Sequence, residues 1–501
     1  MAEHAAPYVA GTYAEPAADQ PTRPVTSPVT GEHLADLPVA TTDQINRAVA
    51  GARAAFEDYR HWSAHERAAL CHRIAELIDA HADELARLTT LEQGKTLADA
   101  LDDVHDSASI FRDSAEDAKR LYGELIPSEE RGKRMFTFRV PVGVWAGITP
   151  WNFPLMIMCE FLGPALATGN AIVCKPPENT PLACLRLGAL LSEAGVPAGL
   201  VSILPGGGAI GEALVTHAGV DAIGFVGSSA TAERIVRSAG LKRTLIEASG
   251  NGPVVVCADA DLAAAADAAV YGATWNSGQV CCATERVLVD GAVREDFLAE
   301  VARAAADVVL GDPFDAATTM GPLNNEPTAA KMDQHIEQAL DAGATLVSGR
   351  GRLSGYPTNL YYDLAVLDEV TPAMAVAREE SFGPILPVIS APDDDELLRI
   401  ANADPLGLQA AVFTRDLRRA FRFAEGLRVG SVVVNDSTDY FESAQPFGGA
   451  AGSRTGWGRV GGLAQLRDMT DLRAAIFSLD GTHLTGSDPR EVGVAHPDQS
   501  A

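Results

Sequence analysis

The chain has few cysteines, and their arrangement excludes two classes of protein. Seven cysteines are spread over 501 residues, and none belongs to a Cys-x-x-Cys pair. Disulfide-rich secreted domains and zinc ribbons need cysteines that are paired or closely spaced. We therefore expect neither a disulfide framework nor a metal site, and the low cysteine density is typical of a reducing compartment.

The chain also has no long apolar run and no excess of basic charge. No segment approaches ~18 uninterrupted apolar residues, and the first residues, MAEHAAPYVAGTYAEP, lack the basic and apolar regions of a signal peptide. The 67 acidic residues outnumber the 39 basic ones, so the net charge is −28. Such a surface repels phosphate backbones and anionic lipid headgroups. We expect a cytoplasmic protein without nucleic-acid or membrane partners.

The chain does contain enough apolar material for a large core, 47% of its residues. At 501 residues it exceeds the size at which one core stops growing, so two or three domains are expected. The first ~20 residues, rich in Ala and Pro, are expected to be loosely held. Sequence rich in Ala, Leu, Glu and Arg then predicts helices from Thr42 to about Lys119.

Strand and helix patterns alternate through the rest of the chain. AIVCKP, VSILPG, AIGFVG and RTLIEA are typical of buried strands, and helical stretches lie between them. A second set of such units, beginning with ERVLVD, follows Cys282. This alternation predicts an α/β fold with two doubly wound, Rossmann-like domains, in each of which helices cover a mostly parallel sheet.

Four stretches carry polar or small residues next to predicted strand ends. They are PWNFP (150–154), KPPENTP (175–181), GSSATAERI (227–235) and LIEASGNGP (245–253). Ligands in open α/β sheets bind at the carboxyl ends of strands, and small residues at a helix start let backbone N–H groups approach a phosphate. A nucleotide site is one interpretation, and ordinary tight turns with a solvated Lys–Glu pair are the other.

The segment WNSGQVCCATER places Cys281 beside Cys282. A free thiol has a pKa near ~8.5, so a nucleophilic cysteine needs an activator. No histidine lies nearby in the sequence, whereas Glu247 ends a predicted strand 34 residues before Cys281. A carboxylate there could act as a general base, directly or through a water, or it could be a surface residue at a strand end. A disulfide between the two neighbours is not expected, because their Cα atoms are too close and their side chains diverge.

Six motifs follow one another along the chain: PWNFP, KPPE, a Gly-Ser turn before a helix, E-x-x-G, GQVCC and EESFGP. In this order and spacing they resemble the aldehyde dehydrogenase superfamily, and the resemblance extends from about residue 25 to about residue 480. It implies an enzyme that oxidises a small-molecule aldehyde to the carboxylic acid with NAD(P)+.

The resemblance implies catalytic roles by position. Cys281 matches the nucleophile, Glu247 the general base, and Asn152 the side chain that holds the oxyanion together with the Cys281 N–H. It further implies that Cys281 forms a thiohemiacetal, that oxidation converts this to a thioester, and that water activated by Glu247 releases the acid.

The same resemblance implies a set of cofactor contacts. Lys175 and Glu178 match ribose contacts, Ser228 a pyrophosphate contact, and Glu380 and Phe382 the residues that position the nicotinamide. An acidic group near the ribose disfavours a 2′-phosphate, so Glu178 predicts NAD, with NADP as the alternative. The complete set is Thr149, Trp151, Lys175, Glu178, Gly208, Gly227, Ser228, Glu380 and Phe382.

A substrate tunnel is also implied, lined by Phe153, Met156, Ile157, Glu160, Trp275 and Cys282. Glu160 stands where many relatives carry an aromatic residue. Its carboxylate would disfavour acidic aldehydes and suit a cationic or hydroxylated one, unless it turns aside into a salt bridge. The loop PFGGAAGSRTGWGRVGG also departs from the family pattern, with Val460 in place of a glutamate. That departure bears on the shape of the tunnel rather than on the chemistry.

Three other functions stay open at the level of sequence. In a CoA-acylating relative, CoA rather than water resolves the thioester, and Glu247 argues against it. Retention of Cys281, Glu247 and Asn152 argues against a non-catalytic ligand-binding relative. KPPE and EESFGP argue against a thiol hydrolase without a cofactor.

The resemblance finally implies a division into domains and a homodimer or homotetramer. The cofactor-binding domain comprises residues 1–122 and 142–249, and the catalytic domain comprises residues 250–465. Residues 123–141 and 466–485 form a small β oligomerisation element, and residues 486–501 form a flexible tail.

Overall fold

The structure is a computed structural model that describes residues 4–16 and 19–479. The predicted tail, residues 486–501, and the end of the second oligomerisation segment, residues 480–485, lie outside the described residues. The strands are β1 Tyr8–Val9, β2 Thr12–Tyr13, β3 Thr22–Thr26, β4 His33–Pro38, β5 Leu125–Ile126, β6 Lys133–Pro141, β7 Val144–Ile148, β8 Ala171–Lys175, β9 Val201–Ile203, β10 Ala222–Gly227, β11 Arg243–Ala248, β12 Pro253–Val256, β13 Arg286–Asp290, β14 Thr345–Ser348, β15 Ala365–Asp368, β16 Ile385–Ala391, β17 Gln409–Phe413, β18 Ser431–Val434, β19 Gly456–Trp457 and β20 Thr470–Ser478. The helices are α1 Thr42–Tyr59, α2 Ala64–Ala80, α3 Ala82–Gln93, α4 Leu97–Ala118, α5 Pro154–Thr168, α6 Leu182–Glu193, α7 Gly208–Thr216, α8 Ser229–Ala239, α9 Leu262–Thr274, α10 Arg294–Ala305, α11 Glu326–Asp341, α12 Ala375–Arg378, α13 Asp394–Asn402, α14 Leu417–Gly426 and α15 Gly462–Asp468.

An eight-stranded sheet runs in the order β19-β11-β10-β7-β8-β9-β1-β2. Its five central strands, from β11 to β9, are parallel, and helices α5 to α8 connect them. Strands such as VWAGI and AIVCK are buried along their whole length. Continuous apolar strands of this kind are typical of a parallel sheet that is covered on both faces.

A seven-stranded sheet follows, in the order β14-β15-β16-β13-β12-β17-β18. All its neighbours are parallel except β14 and β15. PVVV and RVLVD form two of its buried central strands. The two sheets confirm the predicted α/β fold. The expectation that the second unit begins after Cys282 is wrong, because β12, one of its central strands, precedes the cysteine pair.

The expectation that the first ~20 residues would be loosely held is wrong for their described part. β1 pairs antiparallel with β2 and, through Tyr8, with Ile203 of β9. Tyr8 is 2% exposed, and its hydroxyl lies 2.7 Å from that of Ser192. One buried aromatic ring therefore anchors two short strands to the sheet edge, although the surrounding sequence consists largely of small residues.

The predicted helical region before residue 119 consists of four helices rather than a continuous one. Thr41 and Ser63 form capping boxes at the starts of α1 and α2, and Thr96 caps α4. Gly94 ends α3 at φ +103°, a left-handed conformation that glycine adopts most easily. These local signals divide the region into helices, and α2 and α4 pack against α5.

Helix α5 positions part of the candidate site. Its sequence is apolar nearly all round, and the helix is accordingly buried on almost every side. Pro154 occupies its first position, where the missing N–H costs nothing, and Gly169 ends it at φ +89°. Because α5 begins directly after Asn152 and Phe153, it fixes the turn that holds them, and it carries Glu160 in its second turn.

A separate antiparallel sheet of three strands has the order β20-β6-β5. β20 pairs with β6 over nine residues of each strand. The side chains of four residues on these strands are more than half exposed: Leu125, Leu472, Ile476 and Phe477. The sheet therefore displays apolar side chains.

Within residues 4–16 and 19–479, no helix combines the length and the apolar character needed to cross a membrane.

Candidate active site

The carboxyl ends of neighbouring parallel strands meet at one edge of the eight-stranded sheet. β7, β8, β10 and β11 end at Ile148, Lys175, Gly227 and Ala248, each within two residues of one of the four stretches marked in the sequence. Parallel strands present their carboxyl ends on the same side, which brings the four stretches together. They surround a cleft of about 760 Å³.

Every residue predicted to contact the cofactor lines this cleft. These residues are Thr149, Trp151, Lys175, Glu178, Gly208, Gly227, Ser228, Glu380 and Phe382. The volume falls within the ~300–1,000 Å³ typical of ligand pockets. The Thr149 hydroxyl is buried without a hydrogen-bond partner, and the space beside Gly208 is open. The cleft thus fits a polar group that the protein itself does not supply.

The phosphate end of the cleft is formed by the start of α8. Ser228 is the N-cap residue, and its hydroxyl accepts a hydrogen bond from the Thr231 N–H at 3.4 Å. The first N–H groups of a helix have no partners within the helix and carry partial positive charge. An anionic pyrophosphate is the group that such an end favours.

The ribose end holds Lys175 and Glu178. The Lys175 ammonium donates to the carbonyls of Pro176 and Gly206 at 2.8 and 3.3 Å, and burial lowers its pKa to about 8. Glu178 forms an ion pair with Arg23 of β3, at 2.6 Å, which the sequence did not indicate. Arg23 partly neutralises the carboxylate that would otherwise repel a 2′-phosphate, so the NAD preference is weaker than Glu178 alone predicts.

The nicotinamide end is shaped by the EESFGP loop. Glu380 accepts a hydrogen bond from the Gly250 N–H at 2.9 Å. The ring of Phe382 meets that of Trp151 edge to face, with 5.4 Å between centroids. These contacts connect the loop to the end of β11 and to the PWNFP turn.

A second cavity, of about 750 Å³, corresponds to the predicted substrate tunnel. Phe153, Met156, Ile157, Glu160, Trp275 and Cys282 all line it. Phe447 and Val460, which form a β-bridge within the altered loop, line it as well. Cys281 and Glu247 line both the cleft and the tunnel. The two cavities therefore meet at a thiol and a carboxyl group.

Glu247 is held between two strands at the end of β11. It pairs with Val226 of β10 and with Gly456 of β19, a short strand that the altered loop contributes. Glu247 is 4% exposed, and its Oε1 atom is buried without a hydrogen-bond partner. Burial is the main cause that raises the pKa of Glu247 to about 8; Glu380 adds to the rise, and the Cys281 thiol opposes it. A buried carboxyl with a free oxygen and such a pKa suits a general base.

Cys281 is a partly exposed residue at the junction, whereas Cys282 is 4% exposed. Hydrogen bonding with Cys282 and burial raise the pKa of Cys281, and the nearby Glu247 carboxylate adds to the rise. The resting thiol is therefore protonated, and it must lose its proton in order to react. A neighbouring carboxylate can accept that proton.

The loop before Cys281 is fixed by buried hydrogen bonds. Asn276 has φ +48°, in the left-handed region that few non-glycine residues adopt. Its side chain donates to the Asn152 carbonyl at 3.0 Å. Gln279 is fully buried, donates to the Asn276 carbonyl at 2.9 Å and accepts from the Asn324 N–H at 2.8 Å. These bonds offset the backbone strain and hold Cys281 in one place.

Asn152 and the Cys281 backbone provide two N–H donors at the junction. The Asn152 side chain is 3% exposed and donates one N–H to the Gln279 carbonyl at 3.0 Å. Among residues 4–16 and 19–479, nothing accepts from its second N–H or from the backbone N–H of Cys281. Both donors are therefore free to hold an oxyanion.

The residues that position the site were missed by sequence reasoning. Glu285 accepts hydrogen bonds from the backbone N–H groups of Ser381 and Phe382, at 2.7 and 2.9 Å, and so sets the EESFGP loop. A Cβ atom at Gly250 would collide with the Cys281 carbonyl oxygen, so only glycine lets the end of β11 approach this loop. Two features of the sequence could have identified these residues. Glu285 stands directly before the apolar strand RVLVD, and Gly250 is the glycine of E-x-x-G.

The cleft, the tunnel and their junction define the class of protein. A dinucleotide-sized cleft that meets a substrate tunnel at a thiol and a carboxyl group is the site of an oxidoreductase that acts through a cysteine. A model of the aldehyde dehydrogenase family matches residues 15–475. The chain belongs to the aldehyde dehydrogenase family.

Individual relatives agree with this assignment. The chain is 38% identical over 483 residues to the NADP/NAD-dependent aldehyde dehydrogenase PuuC of Escherichia coli (strain K12), which covers 94% of this chain and 95% of that protein. It is 37% identical over 454 residues to a 3-sulfolactaldehyde dehydrogenase of Pseudomonas putida, covering 90% and 92%. The crystal structure of the aldehyde dehydrogenase KauB from Pseudomonas aeruginosa superposes with a TM-score of 0.92 at 39% identity, covering 95% and 96%.

The protein is therefore an NAD(P)-dependent enzyme that oxidises an aldehyde to the carboxylic acid. The predictions of family, enzyme class and type of cofactor are confirmed.

Proposed function

We propose that Cys281, Glu247 and Asn152 carry out this oxidation as nucleophile, general base and oxyanion donor. One observation carries the proposal: in the described part of the chain, Cys281 and Glu247 are the only residues that line both cavities. An aldehyde in the tunnel and a nicotinamide in the cleft would meet at these two side chains. The function is tested by measuring the formation of reduced cofactor with a panel of aldehydes. Each aldehyde is assayed with NAD and with NADP.

The first step is the attack of Cys281 on the aldehyde carbonyl carbon. The thiol gives up its proton to the Glu247 carboxylate, which releases it to solvent. A carbon–sulfur bond then forms, and the carbonyl oxygen becomes an oxyanion. Asn152 Nδ2 and the Cys281 backbone N–H supply the donors that hold this oxyanion, and the bonds around Gln279 keep both in position. Donors fixed before the reaction cost no reorganisation as the charge develops.

The second role falls to Glu247, which activates a water for hydrolysis of the thioester. Its free Oε1 atom can accept a proton from that water. The water oxygen then bonds to the acyl carbon, and the Cys281 sulfur leaves. A base placed here supports hydrolysis rather than transfer to CoA, because a thiol acceptor does not need it.

The cofactor is held by the residues of the cleft. Ser228 and the start of α8 would bind the pyrophosphate, Lys175 and Glu178 the adenosine ribose, and Glu380 and Phe382 the nicotinamide half. When bound, the nicotinamide supplies the two-electron oxidant. The cleft residues orient it at the junction, beside Cys281.

Removal of the oxyanion donor is expected to lower kcat far more than it raises KM. For Asn152→Ala we expect a loss of ~10²–10³ in kcat, the usual effect of losing one such donor. Steady-state kinetics at saturating cofactor measure it. Asn46→Ala is the control, because Asn46 is exposed and, within the described residues, its side chain forms a hydrogen bond only with His217. An unchanged kcat in Asn152→Ala would remove Asn152 from the proposed machinery.

Charge at the ribose end is expected to set the choice between cofactors. In Glu178→Ala, the ratio of kcat/KM for NADP over NAD should rise roughly 10-fold, equivalent to ~1.4 kcal/mol of repulsion removed. Arg23→Ala should move the ratio in the opposite direction, because its guanidinium can pair with a 2′-phosphate. If both variants keep the wild-type ratio, this pair does not select the cofactor.

We further propose a homodimer or homotetramer that associates through the three-stranded sheet. The exposed Leu125, Leu472, Ile476 and Phe477 support this, because a soluble monomer rarely displays so many apolar side chains together. The division into a cofactor-binding domain, residues 1–122 and 142–249, and a catalytic domain, residues 250–465, stays a proposal. Seven free cysteines support a cytoplasmic location.

A further inference from the structure

Seven carboxyl side chains line the substrate tunnel. Glu160 lies deep in it, on α5, and 5% of it is exposed. Besides Glu247 at the junction, the acidic residues that line the tunnel are Asp102, Asp106, Glu160, Asp267, Asp436 and Asp439. They come from helices α4, α5 and α9 and from the segment after β18, so the negative charge surrounds the cavity rather than following one helix.

No lysine or arginine lines this cavity in the part of the chain that the structure describes. Lys95 lies 3.7 Å from the centre of the Phe153 ring, but it is fully buried and bound to Asp103 at 3.0 Å. His105 lines the tunnel, and its ring is paired with Asp79 at 3.2 Å. The protein thus provides the tunnel carboxylates with almost no positive charge.

Two of these carboxylates lack a full set of hydrogen-bond partners among the described residues. The Glu160 carboxylate makes no hydrogen bond and no ion pair among residues 4–16 and 19–479, and only its backbone carbonyl is bonded, by Gln465. The salt bridge considered at the level of sequence is therefore absent from the described residues. Asp439 is 7% exposed, and its Oδ1 atom has no hydrogen-bond partner. Buried carboxylates are normally paired, so an unpaired one that lines a binding cavity indicates a partner that arrives from outside.

The imbalance of charge is also visible in the electrostatics of the tunnel. Burial and the nearby Glu247 raise the pKa of Glu160 well above its usual range. Burial and the neighbouring Asp103 and Asp102 raise the pKa of Asp106 to about 6. A cation in the tunnel would offset the part of each pKa rise that the neighbouring carboxylates cause.

Aromatic side chains form a large part of the remaining tunnel wall. Phe153, Tyr271, Trp275, Tyr440 and Phe441 line it, and the rings of Phe153 and Trp275 lie 5.1 Å apart. Ring faces attract ammonium and guanidinium groups, and they also accept the methylene groups of an alkyl chain. An alkyl chain that ends in a cation fits such walls, whereas a carboxylated aldehyde meets only like charge.

We propose that the tunnel selects aldehydes that carry a cationic nitrogen at the end opposite to the carbonyl group, an ω-aminoaldehyde or its quaternary ammonium analogue, with Glu160 and Asp439 as the residues that bind the cation. This inference rests on the proposed function, because it places the carbonyl group at Cys281. It adds a substrate class that does not follow from membership of the family or from the names of the relatives.

The test compares substrates of equal size and different charge. 3-Aminopropanal and butanal have the same number of non-hydrogen atoms, as do 4-trimethylammoniobutanal and 5,5-dimethylhexanal, and succinic semialdehyde supplies the anion. In each matched pair, kcat/KM for the cation should exceed that for the neutral aldehyde by about 10- to 100-fold, the effect of one charge-assisted contact. Succinic semialdehyde should be the poorest substrate.

Variants of the two carboxylates then locate the effect. Glu160→Gln and Asp439→Asn should each lower the ratio of kcat/KM for 3-aminopropanal over butanal by at least ~5-fold, because each removes a carboxyl group that a bound cation keeps ionised and preserves the shape of the side chain. Glu116→Gln is the control and should leave the ratio unchanged, because Glu116 is on α4, is nearly half exposed and pairs with Lys119 outside the tunnel. The ratio compares two substrates in one preparation, so partial loss of folded enzyme does not affect it.

A third experiment uses only the wild-type enzyme, so its result does not depend on whether the variants fold. Propylammonium should inhibit butanal oxidation competitively at concentrations where 1-propanol, its neutral isostere, does not. If butanal is oxidised but the cations bring no advantage, or if succinic semialdehyde is preferred, the inference is overturned and the proposed function stands. If no aldehyde yields reduced cofactor, the proposed function itself has failed.

Discussion

Cys281→Ala is expected to abolish the formation of reduced cofactor with every aldehyde. The oxidation that we propose passes through a carbon–sulfur bond to this thiol, and alanine offers no nucleophile in its place. We expect a fall in kcat/KM of at least ~10³-fold, in line with the loss of other catalytic nucleophiles. Cofactor binding should persist, because the contacts in the cleft are made by other residues. Activity assays combined with fluorescence titration of NADH measure the two properties separately.

Cys282→Ala is the matched control for that experiment. The residue is adjacent, of the same type and 4% exposed, so the substitution removes a similar buried volume. It should cost ~1 kcal/mol of stability or less and retain most of the activity. The reverse outcome, an inactive Cys282→Ala and an active Cys281→Ala, would show that the nucleophile has been assigned to the wrong thiol.

Glu247→Gln is expected to separate the two halves of the reaction. Oxidation to the thioester should still occur once per site, because solvent can take the thiol proton in place of Glu247, and Cys281 and the oxyanion donors are unchanged. Hydrolysis should slow by ~10²–10⁴-fold, the usual contribution of a general base. Rapid-mixing experiments should therefore show a burst of reduced cofactor, close to one equivalent per subunit, followed by very slow turnover. Full steady-state turnover would remove Glu247 from the role of base.

The pH profile gives a second view of the same residue. Burial raises the pKa of Glu247 to about 8, so below that pH the carboxyl is mostly protonated and cannot accept a proton from water. Wherever hydrolysis limits turnover, kcat should rise with pH through about 8 and level off above it. In Glu247→Gln this inflection should disappear. An inflection that persists in the variant would belong to another group, of which Cys281 is the first to examine.

The parts of the site that share a periodic or positional signal could be predicted from the sequence. The alternating apolar strands predicted the α/β fold. Lys175, Ser228 and Glu247 could be placed near one another because each lies at the carboxyl end of a predicted strand, and parallel strands end at the same edge of the sheet. The six motifs supplied the choice of Cys281 over Cys282. The roles of these residues stay predictions until the variants are measured.

The parts that depend on contacts between distant segments could not be predicted. Arg23 reaches Glu178 from 155 positions away in the sequence, and nothing in either local pattern signals the pair. Tyr8 anchors an N-terminal stretch that its small residues predicted to be loosely held. The altered loop did not merely change the tunnel wall: its strand β19 pairs with β11 beside Glu247. Such pairings follow from tertiary packing, which overrides local preference.

The central claim is that the aldehyde becomes an acyl group on one particular thiol. Glu247→Gln, incubated with a good aldehyde substrate and NAD, should accumulate this thioester, because its hydrolysis is slow. Acid quench, proteolysis and tandem mass spectrometry of the peptide that contains WNSGQVCCATER would locate the added mass. The account predicts an acyl group on Cys281 and none on Cys282. Acylation of Cys282, or no acylation while reduced cofactor is still formed, would contradict it.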